Sequence, residues 1–319
     1  MRAVVCIVLA SLCSVWCEQR ADMSKIAAAP EPDGAASDLA PGTAKIRLNS
    51  DLVVVPVTVI DGQGRAVNGL QKENFTLYED KVEQRITHFS SEDSPASIGI
   101  VFDTSDSMSP KLQKARESVA ALLNSSNSED EFFLVQFNDR AQLLVSTTKQ
   151  ADEIRKQVAM MRISGSTALL DAVMVALKEM RHARYSRKAI IIISDGEDNA
   201  SQCSVRDVKD AVRSEDVLIY SIFIGDSGAY SPGLTGSALL NDITKDTGGR
   251  LFEVTRLKQL PEIASKISAW LRKQYVLAYS PNKTESNSRY RHIQVRIAKP
   301  TGFPRLHTFW RLGYYAPAE

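Results

Sequence analysis

The stretch "VFDTSDSMS", from Val101 to Ser109, decides how the rest of the chain is read. An apolar run ends on an aspartate, a hydroxyl-rich turn follows with a second carboxylate at Asp106, and then a helical pattern begins. Serine and aspartate are good helix N-caps, so strand, cap and helix would account for one such residue. Asp103, Ser105 and Ser107 place oxygen side chains on three alternate positions, which is more than a cap requires.

Outward from this stretch, strands and helices alternate. "IGIVF" (98–102) is a short apolar run, and Leu112, Ala115, Val119 and Leu122 recur at helical spacing. "FFLVQF" (132–137) and "AQLLVST" (141–147) predict a hairpin about Asn138-Asp139, and Leu170, Val173, Leu177 and Met180 make a second helical stripe. "AIIIIS" (189–194) and "VLIYSIFI" (217–224) are continuous apolar runs, as parallel strands covered on both faces require. Helices are predicted near 205–215, 237–246 and 257–273. The alternation implies an α/β fold, an open, doubly wound sheet of mostly parallel strands.

On both sides of this unit the pattern is all-β. "LVVVPVTVIDGQGRAVNGL" (52–70) and "FTLYEDKVEQRITHF" (75–89) each read as strand, turn, strand, and Pro56 predicts an edge strand. "YVLAYSP" (275–281), "RYRHIQVRIA" (289–298) and "RLHTFWRLGYY" (305–315) return to the same pattern. The simplest architecture is a β-sandwich built from 45–95 and 275–316, with the α/β domain, 96–274, inserted into it.

The N-terminus stands apart. Arg2 is followed by an apolar run from Ala3 to Trp16, too short for a membrane span but suited to a signal peptide over 1–17, cut after Cys17. A lipid-bearing cysteine and an uncleaved anchor are the alternatives, although the bulky Leu12 and Trp16 before Cys13 and Cys17 disfavour lipidation. Residues 18–44 are rich in Ala, Pro, Gly and Asp and read as a flexible linker. The expected location is secreted, periplasmic or cell surface. Export would leave Cys203 as the one remaining cysteine and exclude an intrachain disulfide. The 319 residues carry a net charge of +1 with no basic or acidic block, which argues against nucleic acid or a membrane surface as partner. The four histidines, at 88, 182, 292 and 307, lack metal-ligand spacing.

In open α/β sheets, ligands bind beyond the carboxyl ends of the strands. Three stretches should meet there: the opening loop, "SGSTALLDA" (164–172), in which Ser166 or Thr167 would cap a helix, and "IIIISDGEDN" (190–199), in which Asp195 ends a strand. The donors are hard oxygens, with no thiol and no imidazole, a set that suits Mg²⁺, Mn²⁺ or Ca²⁺ and not zinc. Glu197 and Asp198 read either as a second cation site or as a solvated loop.

These residues resemble the metal-ion-dependent adhesion site of von Willebrand factor type A domains, whose pattern is Asp-x-Ser-x-Ser, then a Thr, then an Asp. The match falls on Asp103, Ser105, Ser107, Thr167 and Asp195. "STALLDA", "SDGEDN" and "TGGRLFEV" also fit, and the flanking segments, down to the terminal "GYYAPAE", resemble a bacterial family of exported proteins related to these domains. The resemblance implies that Ser105, Ser107 and Thr167 ligate an ion directly while Asp103 and Asp195 act partly through water. It also implies that an Asp or Glu carboxylate on a partner protein fills the open position. Two positions depart from the family: Asp106 and Lys81 stand where glycine is usual. Asp106 would either add a carboxylate to the cation or point to solvent, and loss of the glycine would strain a turn that needs positive φ.

The rival readings are a Mg²⁺-dependent phosphohydrolase of the haloacid-dehalogenase type and an envelope scaffold without metal. The phosphohydrolase requires a second aspartate two residues after the first, where this chain has Ser105. The residues favour a non-enzymatic binding protein.

Overall fold

The computed structural model describes residues 52–225, 236–281, 289–298, 302–303 and 305–316. The signal peptide and linker expected over 1–44 lie outside the described residues.

The chain enters through an antiparallel region: β1 (Val53–Asp61), β2 (Phe75–Glu79), β3 (Val82–Gln84) and β4 (His88–Ser90). It then builds the α/β unit. This comprises β5 (Ala96–Asp103), α1 (Leu112–Ser125), the hairpin β6 (Glu131–Phe137) and β7 (Ala141–Thr148), α2 (Ala151–Met160) and α3 (Leu169–Met180). It continues with β8 (Arg187–Ser194), α4 (Val205–Ser214), β9 (Leu218–Phe223), α5 (Gly236–Thr244), β10 (Leu251–Glu253) and α6 (Leu260–Arg272). Four strands close the chain: β11 (Tyr275–Tyr279), β12 (Tyr290–Ile297), β13 (Leu306–Trp310) and β14 (Gly313–Tyr315).

The six-stranded sheet has the order β10-β9-β8-β5-β6-β7, parallel except for β7. Its central strands β8, β5 and β9 are buried on both faces, and the alternation of side chains divides their residues between two cores. Ile98, Ile100 and Phe102 of β5 and Ile191 and Ile193 of β8 face α1, α2 and α6, represented by Val119, Ile154 and Ile267. Val101 of β5 and Ile190 and Ile192 of β8 face α3, α4 and α5, represented by Val173, Val212 and Leu240. Gly99 has no side chain because the Phe133 ring lies over it: a Cβ there would sit 2.2 Å from the ring.

Two antiparallel sheets, β13-β1-β11-β4 and β14-β12-β2-β3, pack face to face. Val55, Val57 and Leu277 of the first meet Leu77, Ile293 and Val295 of the second in a third core. Pro56 is not on an edge strand, because β1 lies between β13 and β11. The register shows why proline is tolerated: residues 53–57 pair with β11 and residues 57–61 with β13, so Pro56 has a neighbouring strand on one side only. The run 305–315 is two strands in different sheets, broken at Arg311-Leu312.

The α/β unit leaves the antiparallel region after Ser90 and returns at Tyr275, and Ser90 pairs with Val276 in register. Both linkers are therefore side by side. The buried guanidinium of Arg187, at the start of β8, joins them. It donates to the carbonyls of Glu92 and Ser94 on the outgoing linker and to those of Arg272 and Gln274 on the returning one. Trp270 on α6 completes the seam, stacking on Phe309 of β13 and donating Nε1–H to the Gly64 carbonyl at 3.0 Å. Among the described residues no helix is long and apolar enough to cross a membrane.

Candidate functional site

β5 and β8 are adjacent parallel strands whose onward connections run to opposite sides, β5 toward β6 and β8 toward β9. The crevice beyond their carboxyl ends is the switch point where such sheets bind ligands. The last rung of the β5–β8 ladder pairs Phe102 with Ile193, and the next residues are Asp103 and Ser194. The Ser194 hydroxyl donates to Asp103 Oδ2 at 2.6 Å. The other oxygen, Oδ1, accepts from the Ser105 backbone N–H at 2.9 Å and from the Ser105 hydroxyl at 2.6 Å. The Ser105 proton being so committed, the Ser107 hydroxyl, 3.2 Å away, donates to Ser105 Oγ. Asp103, Ser105 and Ser107 thus form one hydrogen-bonded chain, with Asp103 fully buried and Ser105 nearly so.

Asp103 is an expensive residue to bury. Desolvation pushes its carboxyl up to about 6, against the hydrogen bonds from Ser105 and Ser194 that hold it down, and the Asp195 charge raises it further. Asp195, also buried, has its Oδ2 bound by the Lys111 ammonium at 2.9 Å. Its Oδ1 is buried with no hydrogen-bond partner among the described residues. Such an orphaned oxygen costs about 1–3 kcal/mol.

Thr167 reaches the crevice on a third segment, held from both sides. Its N–H donates to Asn199 Oδ1 at 2.8 Å, and its carbonyl accepts from the backbone of Asn199 and Ala200. The preceding turn is tied to the first loop. Ser164 N–H donates to the Thr104 carbonyl, Asp106 N–H to the Gly165 carbonyl, and Gly165 N–H back to Asp106 Oδ1 at 3.1 Å. Asp106 is exposed to solvent, and its Oδ1 clamps the turn that carries Thr167. No hydrogen bond links the Thr167 hydroxyl to Asp103, Ser105 or Ser107 among the described residues.

Neither Ser166 nor Thr167 caps α3. The cap comes from across the crevice: Asp198 Oδ1 accepts from the N–H groups of Leu169 and Leu170, at 2.9 and 3.3 Å. Asp198 is thus a cap, not part of a second cation site. Gly196 starts the loop that delivers it. Its φ is +77°, and a Cβ there would lie 2.3 Å from the Gly236 carbonyl oxygen, so only glycine fits.

Ser194 and Lys111 were not singled out in the sequence, and Asn199 stands out there only as the head of an Asn-x-Ser sequon, not for the site. Ser194 and Asn199 carried no signal for a role at the site beyond lying in "IIIISDGEDN". Lys111 did carry one. It stands at the N-terminal, positive end of α1, whose first turn has no acidic residue. A cation is disfavoured there unless a carboxylate elsewhere holds it.

The donor set fits a hard divalent cation. The Ser105 and Ser107 hydroxyls are linked to the buried carboxylate of Asp103, and the buried Asp195 Oδ1 lacks a partner among the described residues. Among the described residues no three Asp, Glu, His or Cys side chains gather, so hydroxyls and water would supply most of the shell.

Residues 97–266, more than half of the chain, match the model of the von Willebrand factor type A domain. The chain belongs to the von Willebrand factor type A domain family. A protein of Borreliella burgdorferi described as uncharacterized is 26% identical over 197 residues, 54% of this chain and 57% of that one. The human inter-alpha-trypsin inhibitor heavy chain H4 is 26% identical over 217 residues, 60% of this chain and 22% of that one. This chain thus spans less than two thirds of the length of these curated relatives. A solved von Willebrand factor type A protein from Catenulispora acidiphila shares the fold, with a TM-score of 0.50 at 12% identity over 85% of this chain and 75% of that one. Type A domains are typically non-enzymatic modules that mediate protein–protein interaction, and they often hold a divalent cation at this edge of the sheet.

Proposed function

We propose that the protein is an exported adhesion or binding protein whose type A domain holds Mg²⁺, Mn²⁺ or Ca²⁺ and through it captures a carboxylate of a partner protein. Ser105, Ser107 and Thr167 would ligate the ion through their hydroxyls, with Asp103 and Asp195 acting partly through water. Neutral hydroxyl ligands leave the charge of a dication under-compensated, so the ion seeks an anion from outside. The observation that carries this reading is the hydrogen-bonded chain Asp103–Ser105–Ser107 at the switch point, at the end of the strand next to the one that leads into Asp195, whose buried Oδ1 has no hydrogen-bond partner among the described residues.

The same contacts weigh against the phosphohydrolase. A nucleophilic carboxylate needs an oxygen open to the substrate, whereas Asp103 is fully buried and accepts three hydrogen bonds, two on Oδ1 and one on Oδ2. Ser105, in the place of the general acid, donates to that carboxylate.

Four experiments test the proposal. Calorimetry with Mg²⁺ and Mn²⁺ should find one site per chain, abolished by Asp103→Ala; equal binding by the variant would overturn the assignment. Capture from the native envelope fraction should require Mg²⁺ and fail in chelator. Phosphate-ester turnover by the wild type that Asp103→Asn removes would restore the enzyme reading. For export, N-terminal sequencing of protein recovered outside the cytoplasm should begin at Glu18, and full-length protein in the soluble cytoplasm would refute it.

A further inference from the structure

Among the described residues, Lys111 is the one cationic side chain that pairs with any of the five site residues. Its ammonium sits 2.9 Å from Asp195 Oδ2, and its side chain is only 20% exposed. The stem is rooted at the start of α1, on the loop that also carries Ser105 and Ser107. The acidic groups around it are Asp195, which it touches, Asp103 beyond, and Asp106 on its own loop, which is engaged with Gly165.

Resting on the metal-binding reading above, we infer that Lys111 is a tethered cation that competes with the metal for Asp195 and so sets the affinity of the site. Two buried carboxylates at one strand edge repel each other. The ammonium offsets one of them, so Lys111 compensates the charge that a dication would otherwise compensate. Ion and ammonium share Asp195 at a cost, because both are positive. Four methylenes let the ammonium swing outward to water when the ion arrives. A fixed charge 4–6 Å from a carboxylate changes that carboxylate's affinity for a proton by roughly ten- to thousandfold, and a dication responds at least as strongly. Lys111 thus weakens the ion's hold and keeps the site from being filled by trace metal.

The test uses the full chain, with Mn²⁺ alone as the calorimetric probe and thermal unfolding in chelator and in saturating Mg²⁺. Lys111→Met keeps the stem and removes the charge; Lys111→Gln repeats the measurement with a polar tip should Met impair folding. Both should bind Mn²⁺ about tenfold tighter, or more, than wild type, while Lys111→Arg should not tighten it. In chelator Lys111→Met should melt below wild type, because Asp195 loses its partner, and Mg²⁺ should raise its midpoint more than it raises that of wild type. Unchanged or weaker Mn²⁺ binding, with the same melting deficit in both conditions, would overturn the competition while leaving the metal site standing. Absence of Mn²⁺ binding by wild type and every variant would remove both.

Discussion

At the residue scale, the crevice depends on the groups that hold Asp103 and Thr167 in place as much as on those side chains themselves. Ser194 donates to Asp103 Oδ2 and accepts from Gly196 N–H, so it fixes both the carboxylate and the turn that presents Asp195. Ser194→Ala should leave the fold intact, cost about 1–2 kcal/mol, and weaken Mg²⁺ binding, checked by thermal unfolding and calorimetry on one preparation. Thr167→Val keeps the shape and removes a donor oxygen, one of about six that such a cation requires. Metal binding and Mg²⁺-dependent partner capture should both collapse at unchanged melting temperature. Capture that survived both chelator and this substitution would show that binding does not use this crevice. Asp103, Ser105, Ser107, Thr167 and Asp195 were legible because their types and order form a pattern. Ser194 and Asn199 were not, since serine and asparagine in a loop are ordinary and their roles arise only when the two strand ends meet. Away from the site, Lys81 occupies a left-handed backbone, φ +69°, after Asp80 at φ +45°. Lys81→Gly should therefore stabilise the protein by about 0.5–1 kcal/mol, measured by denaturant unfolding.

At the element scale, the strands and helices of the α/β unit announced themselves where the apolar pattern was long. The runs at 189–194 and 217–224 became β8 and β9, and the stripe from Leu170 to Met180 became α3. α2 went unread, although it equals α4 in length and, like α4, buries one pair at four-residue spacing, Ile154 and Val158. The two strands within 305–315 read as one run, although Gly313 opens β14 directly after the break at Arg311-Leu312. The α3 cap was misread because local rules look for a capping oxygen next to the helix, and here Asp198 supplies it from 29 residues away. That arrangement couples helix stability to the crevice. Asp198→Ala should cost about 1–2 kcal/mol. It should also loosen Asn199 and with it Thr167, lowering metal affinity without touching a ligand. Denaturant unfolding and calorimetry separate the two effects, and a variant that loses stability but binds Mg²⁺ as wild type does would show that the loop keeps its place unaided.

At the scale of the whole molecule, the insertion of an α/β unit into an all-β frame was legible from the switch in periodicity near Pro95 and Tyr275. What could not be read was how the two are fastened. Arg187 lies within a strand sequence, and its role as a bridge between both linkers appears only when Ser90 and Val276 are seen as neighbours. Arg187→Met should leave several buried carbonyls without donors and cost about 2–4 kcal/mol, seen as a lower denaturation midpoint and as faster proteolysis at residues 91–95. The same layout fixes how the molecule bears load. Any pull between the chain preceding Val53 and a partner gripped at the crevice draws β1 by its N-terminal end, while β11 is held through α6 by its own. Because these strands are antiparallel and paired from Val53–Tyr279 to Val57–Tyr275, the pull runs along the ladder and sets its rungs in shear. The rungs then fail together and not one after another, so under tension the frame resists as a lap joint resists and not as a zipper does.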